Sequence, residues 1–272
     1  MVSFKKIFYT ALMASTALAL PRPLKRDTSG NQTSAGKRGA AYNDASAVKA
    51  LDVNGGVSWS YNWSPIPGGI LPDGVEFVPM LWGQKAVTQF ISAIAGLLTG
   101  GDVKYMMGFN EPDISNQAAM ATSEAINLFK QLLTPHSGRV ALVSPAVTNS
   151  QQQGQGLSWL EDFLGGCSDC GMSVVAVHWY GNDADDFKKF VQQAVDLANQ
   201  HGMREVWVTE MALSQDSANQ GSGQESADFI RQVLPWLDSQ TMVTRYAYFY
   251  AEENYLVKGG QPSEAGWAYL SS

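Results

Sequence analysis

The sequence predicts a single-domain α/β protein, a (β/α)8 TIM barrel, and two patterns carry that prediction. Eight short apolar runs suited to buried strands alternate with segments of helical periodicity from residue 39 to the C-terminus. Several runs end abruptly in polar or aromatic residues, as barrel strands do at the carboxyl rim where active sites are built. A doubly wound open sheet is the rival. No Gly-rich turn opens a helix after the first strand, which counts against a nucleotide-binding version of it.

Residues 40–42 are a weakly signalled first strand, and Asp44 begins a helix to about Ala50. The second strand, residues 57–61, leads into a Pro/Gly-rich loop, and the third, 75–81, ends in Trp82. Over 84–98, Val87, Phe90, Ile91, Ile94 and Leu98 recur at helical spacing and predict one face packed on the sheet. The fourth run is Val-Lys-Tyr-Met-Met-Gly-Phe-Asn-Glu-Pro-Asp, residues 103–113; Pro112 lacks the N–H a strand needs and leaves Glu111 at its carboxyl end. A helix over 117–133 turns Ile126, Phe129 and Leu133 inward and stops before Pro135.

The fifth strand is 140–146, followed by a Gln/Gly-rich loop and a short helix over 159–164. The sixth, 174–177, ends in His178-Trp179-Tyr180-Gly181. Asp183 or Asp185 caps the next helix, whose buried stripe is Phe187, Phe190, Val191, Ala194 and Leu197. The seventh, Glu-Val-Trp-Val-Thr-Glu-Met from residue 205, leaves Glu210 at the point corresponding to Glu111. A polar loop and a helix carrying Phe229, Ile230, Val233 and Leu237 precede the eighth strand, 243–249. Trp267 and Tyr269 are expected to pack as a closing element.

The first forty residues stand apart. Lys5 and Lys6 precede an apolar segment, residues 7–20, with Ala17-Leu18-Ala19 as a small-x-small cleavage site, so residues 1–19 read as a secretory signal, a retained anchor being the alternative. Residues 20–38 read as a propeptide or disordered segment. Its dibasic pairs, Lys25-Arg26 and Lys37-Arg38, suit a Kex-type protease and would start the mature chain near Gly39; an uncut tail is the alternative. Loss of residues 1–38, with seven basic residues and one acidic, takes the net charge from −7 to about −13. So acidic a domain repels nucleic acid and anionic membranes, and points to a neutral or cationic substrate.

Cys167 and Cys170 are the only cysteines. In a secreted chain they read as a loop-closing disulfide; redox or zinc chemistry is the alternative, with only three histidines to complete a metal site. No metal or cofactor is expected, and a monomer is.

Two glutamates at the ends of distant parallel strands can converge on one cleft, which is what glycosidic bond hydrolysis requires. One must protonate the leaving oxygen while the other attacks or activates water. Asn110 is suited to bond a sugar hydroxyl, and Tyr180 to donate to a carboxylate nucleophile. His178 shares Tyr180's strand face, and a satisfied core histidine is an equal reading of it. Trp63 and Trp82 end strands and are expected to stack on sugar, whereas Trp207 reads as packing. Tyr248, in Tyr248-Phe249-Tyr250 at the end of the eighth strand, is a further candidate substrate contact. Glu161-Asp162, Asp185-Asp186 and Glu252-Glu253 read as solvated surface. The sequon at Asn62 lies where substrate should pass and is expected to be unoccupied.

Gly-Phe-Asn-Glu-Pro-Asp, His-Trp-Tyr-Gly and Trp-Val-Thr-Glu-Met-Ala, in that order, resemble clan A glycoside hydrolases, and more closely the Asl1-like fungal cell-wall proteins and β-1,3-glucanases of glycoside hydrolase family 128. The resemblance runs from Gly39 to the C-terminus. It implies a secreted, retaining, endo-type β-1,3-glucanase with Glu111 as general acid/base, Glu210 as nucleophile and a structural Cys167–Cys170 pair. Clan A members commonly carry a tryptophan where this chain has Tyr248-Phe249-Tyr250. A cell-wall β-glucan-binding protein with little turnover is the alternative function.

Overall fold

In the computed structural model, residues 34–214, 221 and 223–272 are described. The apolar N-terminal run and Lys25-Arg26 lie outside them. Eight strands, β1 Arg38–Tyr42, β2 Trp59–Tyr61, β3 Glu76–Phe77, β4 Tyr105–Met107, β5 Ala141–Val147, β6 Met172–Gly181, β7 Glu205–Leu213 and β8 Val243–Ala251, form one sheet in the order β3-β2-β1-β8-β7-β6-β5-β4. Every paired neighbour runs parallel, with a helical crossover between successive strands except β2 and β3, which the Pro/Gly-rich loop joins.

The sheet curls until its ends meet. A single parallel bridge, Met80↔Met107, joins them, with Met107 N–H donating to Pro79 O at 2.9 Å and Leu81 N–H to Met107 O at 3.1 Å. The third run is shorter as a ladder than its apolar length predicts because Pro79 has no N–H to offer a neighbour. Its backbone nevertheless completes the ring.

Side-chain alternation along the strands makes two cores. Trp59, Tyr61, Met80, Met107, Val143, Ala176, Trp207 and Ala247 fill the barrel, and a Cβ at Gly39 would run into the Trp59 indole. Phe129, Phe163, Phe187, Val191 and Phe229 pack in the layer between sheet and helices. At the amino end of the barrel Arg245 closes the interior, its guanidinium 4.4 Å over the Tyr105 ring and 4.6 Å over Trp207, paired with Glu76 at 2.8 Å.

Among the described residues the helices are α1 Ser34–Lys37, α2 Ala45–Leu51, α3 Val87–Gly100, α4 Thr122–Leu132, α5 Gly156–Gly166, α6 Ala184–Gln200, α7 Gln224–Ser239 and α8 Glu264–Ser271. Asp44 caps α2, and Asp183 rather than Asp185 caps α6 by accepting from the backbone of Asp185 and Asp186. Cys167 and Cys170 form a buried disulfide that closes the turn after α5. Two apolar placements differ from the sequence reading. Ile91, about 100° round the helix from Phe90, falls off the buried stripe of Phe90, Ile94 and Leu98 and is 54% exposed. Trp267 is half exposed, and Tyr269 alone does the closing, its hydroxyl donating to Gly39 O (2.9 Å) and Tyr246 O (3.2 Å).

The fold also begins earlier than Gly39. Arg38 opens β1, and Lys37 ends α1, both with buried side chains. Lys37 Nζ donates to the carbonyls of Leu237 (3.2 Å), Asp238 (3.0 Å) and Gln240 (2.8 Å), neutralising the carboxyl end of α7. Arg38 donates to Leu270 O (2.7 Å), to Ser272 O and to the Tyr246 hydroxyl (3.3 Å). A dibasic pair that reads as a processing site is therefore a clamp on the C-terminal helices. The expected boundary at residue 38 cuts through it.

Candidate active site

Glu111 and Glu210 reach the carboxyl end of the barrel by different means. After Met107 the chain stays extended beside β5, as the bridge Asn110↔Ala146 and the Glu111 N–H bond to Ala146 O (2.8 Å) record. Pro112 then ends the extension, and Glu111 sits at φ 44°, a costly region for a residue with a Cβ. Hydrogen bonds on both neighbouring strands hold it there, since Asn110 N–H donates to Trp82 O at 2.9 Å.

Simple alternation would point Glu210 the wrong way. Trp207 faces the interior while Val206 and Val208 face the helices, so Thr209 should turn inward and Glu210 outward. The β6–β7 register slips at this point: Val177 pairs Val208, but His178 pairs Glu210. The extra residue, Thr209, is a bulge that turns Glu210 into the cleft beside His178.

Around Glu210 two donors converge. Oε1 accepts from Trp63 Nε1 (2.8 Å) and Oε2 from Tyr180 OH (2.5 Å), while the Tyr61 hydroxyl donates to Thr209 O (3.0 Å) and lies 3.4 Å from Oε1. Burial, then the charge of Glu210, pushes both phenols well above their usual value near 10, so they stay protonated and keep donating. Glu111 has a sparser environment: His178 Nδ1 lies 2.9 Å from its Oε1.

His178 is fully buried between the two carboxylates. Its Nε2 faces Glu210 Oε1 at 3.5 Å, an ion-pair distance without a hydrogen bond. One oxygen of each glutamate and a ring nitrogen lie within 4.8 Å of one another. The two ring nitrogens face different carboxylates, which is a donor between acceptors rather than three lone pairs converging on one ion.

Burial alone would lower the His178 pKa; Glu210 first, then Glu111 and Asp113, more than offset it and raise the value above 6.5. The folded protein therefore holds this proton more tightly than the unfolded chain. The resulting stabilisation is fully present below about pH 6.5 and is lost as pH rises through the folded-state value. The thermal midpoint of the wild type should fall over that window, and His178→Asn should flatten the dependence. Parallel curves for the two would show that another group titrates there.

These groups form the floor of a cleft of about 670 Å³ whose walls include Trp63, Trp82, Asn110, Tyr180, Phe249 and Tyr250. Asn110 donates through Nδ2 to Gln117 Oε1 (3.3 Å), while its buried Oδ1 has no partner. Asn62 Nδ2 donates to Ile66 O at 2.9 Å.

Of the sequence-derived contacts, Asn110, Trp63, Trp82 and Tyr180 line the cleft and His178 lies beneath it. Trp63 also directs its indole N–H at Glu210, an orienting contact that the stacking expectation did not include. Tyr248 is misplaced: it shares the outward face of β8 with Tyr246 and packs beside Phe229 and Tyr269, while Phe249 and Tyr250 face the cleft. Strand alternation from inward Ala247 would have excluded it. Tyr61, Gln117 and Asn149 were missed. The Asp113 carboxylate accepts from Thr148 and from Gly156 N–H at the start of α5.

The family model described as the glycosyl hydrolase catalytic core matches residues 39–269. Alkali-sensitive linkage protein 1 of Schizosaccharomyces pombe is 33% identical over 255 residues, covering 87% of this chain and 44% of that protein. The chain thus spans less than half the length of this curated relative. Among solved structures, a GH128 (subgroup III) curdlan-specific exo-β-1,3-glucanase from Blastomyces gilchristii, in complex with glucose, is 39% identical with a TM-score of 0.80 over 88% of this chain and 99% of that one. A GH128 (subgroup I) endo-β-1,3-glucanase from Amycolatopsis mediterranei, in complex with laminaritriose, is 28% identical with a TM-score of 0.70 over 87% and 99%. A GH128 (subgroup II) endo-β-1,3-glucanase from Sorangium cellulosum is 29% identical with a TM-score of 0.68 over 86% and 98%.

Proposed function

Since the chain belongs to glycoside hydrolase family 128, with a glycosyl hydrolase catalytic core over residues 39–269, we propose that it hydrolyses β-1,3-glucan with retention of configuration. Glu210 is the nucleophile and Glu111 the general acid/base. The observation that carries this reading is the distance between their oxygens, within 4.8 Å. Retaining enzymes hold their carboxyl groups about 5 to 5.5 Å apart, whereas inversion needs about 6.5 to 9.5 Å to seat a water.

The roles follow from the surroundings. Trp63 and Tyr180 direct donors at Glu210, matching an ionised carboxylate, which only accepts. In the first step a Glu210 oxygen bonds the anomeric carbon as the glycosidic C–O bond breaks, and the departing oxygen takes the proton of Glu111. In the second, water gives a proton to Glu111 and attacks the same carbon, releasing Glu210. His178 faces both carboxylates as charge moves from one to the other. Asn110 Oδ1 is free to accept from a sugar hydroxyl, and Trp82, Phe249 and Tyr250 offer rings to sugar faces.

Endo attack is the mode the family resemblance implies. A second reading, release from chain ends, is favoured by the 39% identity to an exo-acting enzyme against 28–29% to endo-acting ones. The N-terminal segment, read as a secretory signal, supports a location outside the cell or in the wall; a monomer is expected. Among the described residues, no helix is long and apolar enough to cross a membrane.

Incubation with laminari-oligosaccharides and curdlan, followed by anomeric proton NMR and product sizing, tests all of this. The β-anomer should appear first. A ladder of oligosaccharides marks endo action, and one short product exo action. An initial α-anomer overturns retention, and no new reducing ends leaves the glucan-binding alternative.

A further inference from the structure

A polar chain outside the reacting atoms connects the two glutamates, and Asn149 is its middle link. β5 ends at Val147, paired with Val177, but β6 continues to Gly181. On one side β7 covers this extension, as far as Gly181↔Leu213. On the other side no strand remains to pair with Tyr180.

The Asn149 amide takes that place. Its Oδ1 accepts from Tyr180 N–H at 3.2 Å, and its Nδ2 donates to Tyr180 O at 3.1 Å. One side chain thus supplies both bonds that a longer β5 would have made. Tyr180 in turn holds Glu210 Oε2 at 2.5 Å, so the amide fixes the backbone from which that phenol reaches.

Asn149 is itself pinned from the other glutamate's side. Asp113, buried and two residues beyond Glu111, accepts from Thr148 Oγ1 at 2.6 Å, from Thr148 N–H at 3.3 Å and from Gly156 N–H at 2.9 Å. The turn carrying Glu111 and the strand carrying Tyr180 are thereby held in one register. We infer that Asn149 is a positioning residue: its side-chain amide replaces the missing rung of β5 against Tyr180 and so places the phenol that orients Glu210.

This inference rests on Glu210 being the nucleophile, and two readouts keep the two ideas separable. The first is a double-mutant cycle on laminarihexaose turnover. Asn149→Ala should lower kcat roughly tenfold, the scale on which small misplacements act, and should have less than about a twofold effect in a Tyr180→Phe background. Equal losses in both backgrounds overturn the inference, because Asn149 would then act on substrate or on the fold at large.

The second readout needs no activity. In protein labelled at the tyrosine 13Cζ, with Tyr180 assigned by Tyr180→Phe, both Asn149→Ala and Glu210→Gln should move the Tyr180 resonance, and in the same direction. Asn149→Asp, which keeps the acceptor and loses the donor, should move it too if Asn149→Ala does not fold. An unmoved Tyr180 signal in a folded Asn149 variant overturns the inference, whatever the enzyme's turnover. A shifted signal with an inactive wild type upholds the placement of Tyr180 by Asn149 and overturns the hydrolase reading instead.

Discussion

Glu210→Gln should lower kcat by about six orders of magnitude, the scale seen when a covalent nucleophile is removed, and leave the fold standing. An amide nitrogen or oxygen has no charge with which to attack an anomeric carbon. Glutamine nevertheless fills the same space, and its carbonyl can still accept from Trp63 Nε1, now 2.8 Å from Glu210 Oε1. Its amide nitrogen can donate to the Tyr180 oxygen where that hydroxyl now donates at 2.5 Å. Exchanging neutral for charge-assisted hydrogen bonds costs on the order of 1–3 kcal/mol, a modest fall in the thermal midpoint. A second consequence separates this site from an ordinary buried acid. Glu210 is the foremost of the groups raising the His178 pKa, so the variant should lose part of the wild type's fall in stability above pH 6.5. Steady-state turnover, thermal melts across pH and binding of laminarihexaose measure the three effects. Turnover within tenfold of wild type would remove Glu210 from the mechanism, and a variant that does not fold would make it a structural residue.

The parts of this site that the sequence made legible are those set by strand termini. Asn-Glu-Pro ends a run because proline ends ladders, and the same local chemistry is visible without coordinates in His178-Trp179-Tyr180 and in Glu210. What stayed hidden depends on register between distant strands. The bulge at Thr209, which turns Glu210 inward, exists only in the pairing of β7 with β6, and nothing in Trp-Val-Thr-Glu announces an extra residue. Tyr248 was misassigned for the opposite reason. Alternation along β8 turns it outward, whereas residue type alone, an aromatic cluster at a strand end, suggests a sugar contact. Lys37 and Arg38 show a third kind of miss. A dibasic pair reads as a protease site until the partners of both side chains, some two hundred residues later, are known. Asn149 belongs with these, since its bonds to Tyr180 reflect how much sooner β5 ends than β6.

Glu111→Ala should slow the two steps unequally, and the inequality identifies its role. Protonating a sugar oxygen as it leaves is worth about 10² to 10⁴-fold, so hydrolysis of laminari-oligosaccharides should fall by that factor. A dinitrophenyl glycoside of the same sugar carries a leaving group that needs no proton, and its first step should proceed nearly unimpaired. The glycosyl-enzyme then accumulates, because no base remains to activate water, and a burst of dinitrophenol equal to the enzyme concentration should precede a slow steady state. Azide, which needs no base, should restore the second step and give a β-glycosyl azide. With Glu210→Ala, azide should instead attack from the face the carboxylate vacated, giving the α-product from a β-glycosyl substrate. The two anomers are therefore opposite signatures of the two positions, and both come from carboxylates whose oxygens lie within 4.8 Å of one another. Exchanged anomers would exchange the roles. Equal slowing of natural and activated substrates by Glu111→Ala would mean that the residue shapes the cleft and transfers no proton. His178, bonded to Glu111 at 2.9 Å, would then have lost its partner without explaining the loss of rate, and general acid catalysis would have to be sought in another group along the cleft wall.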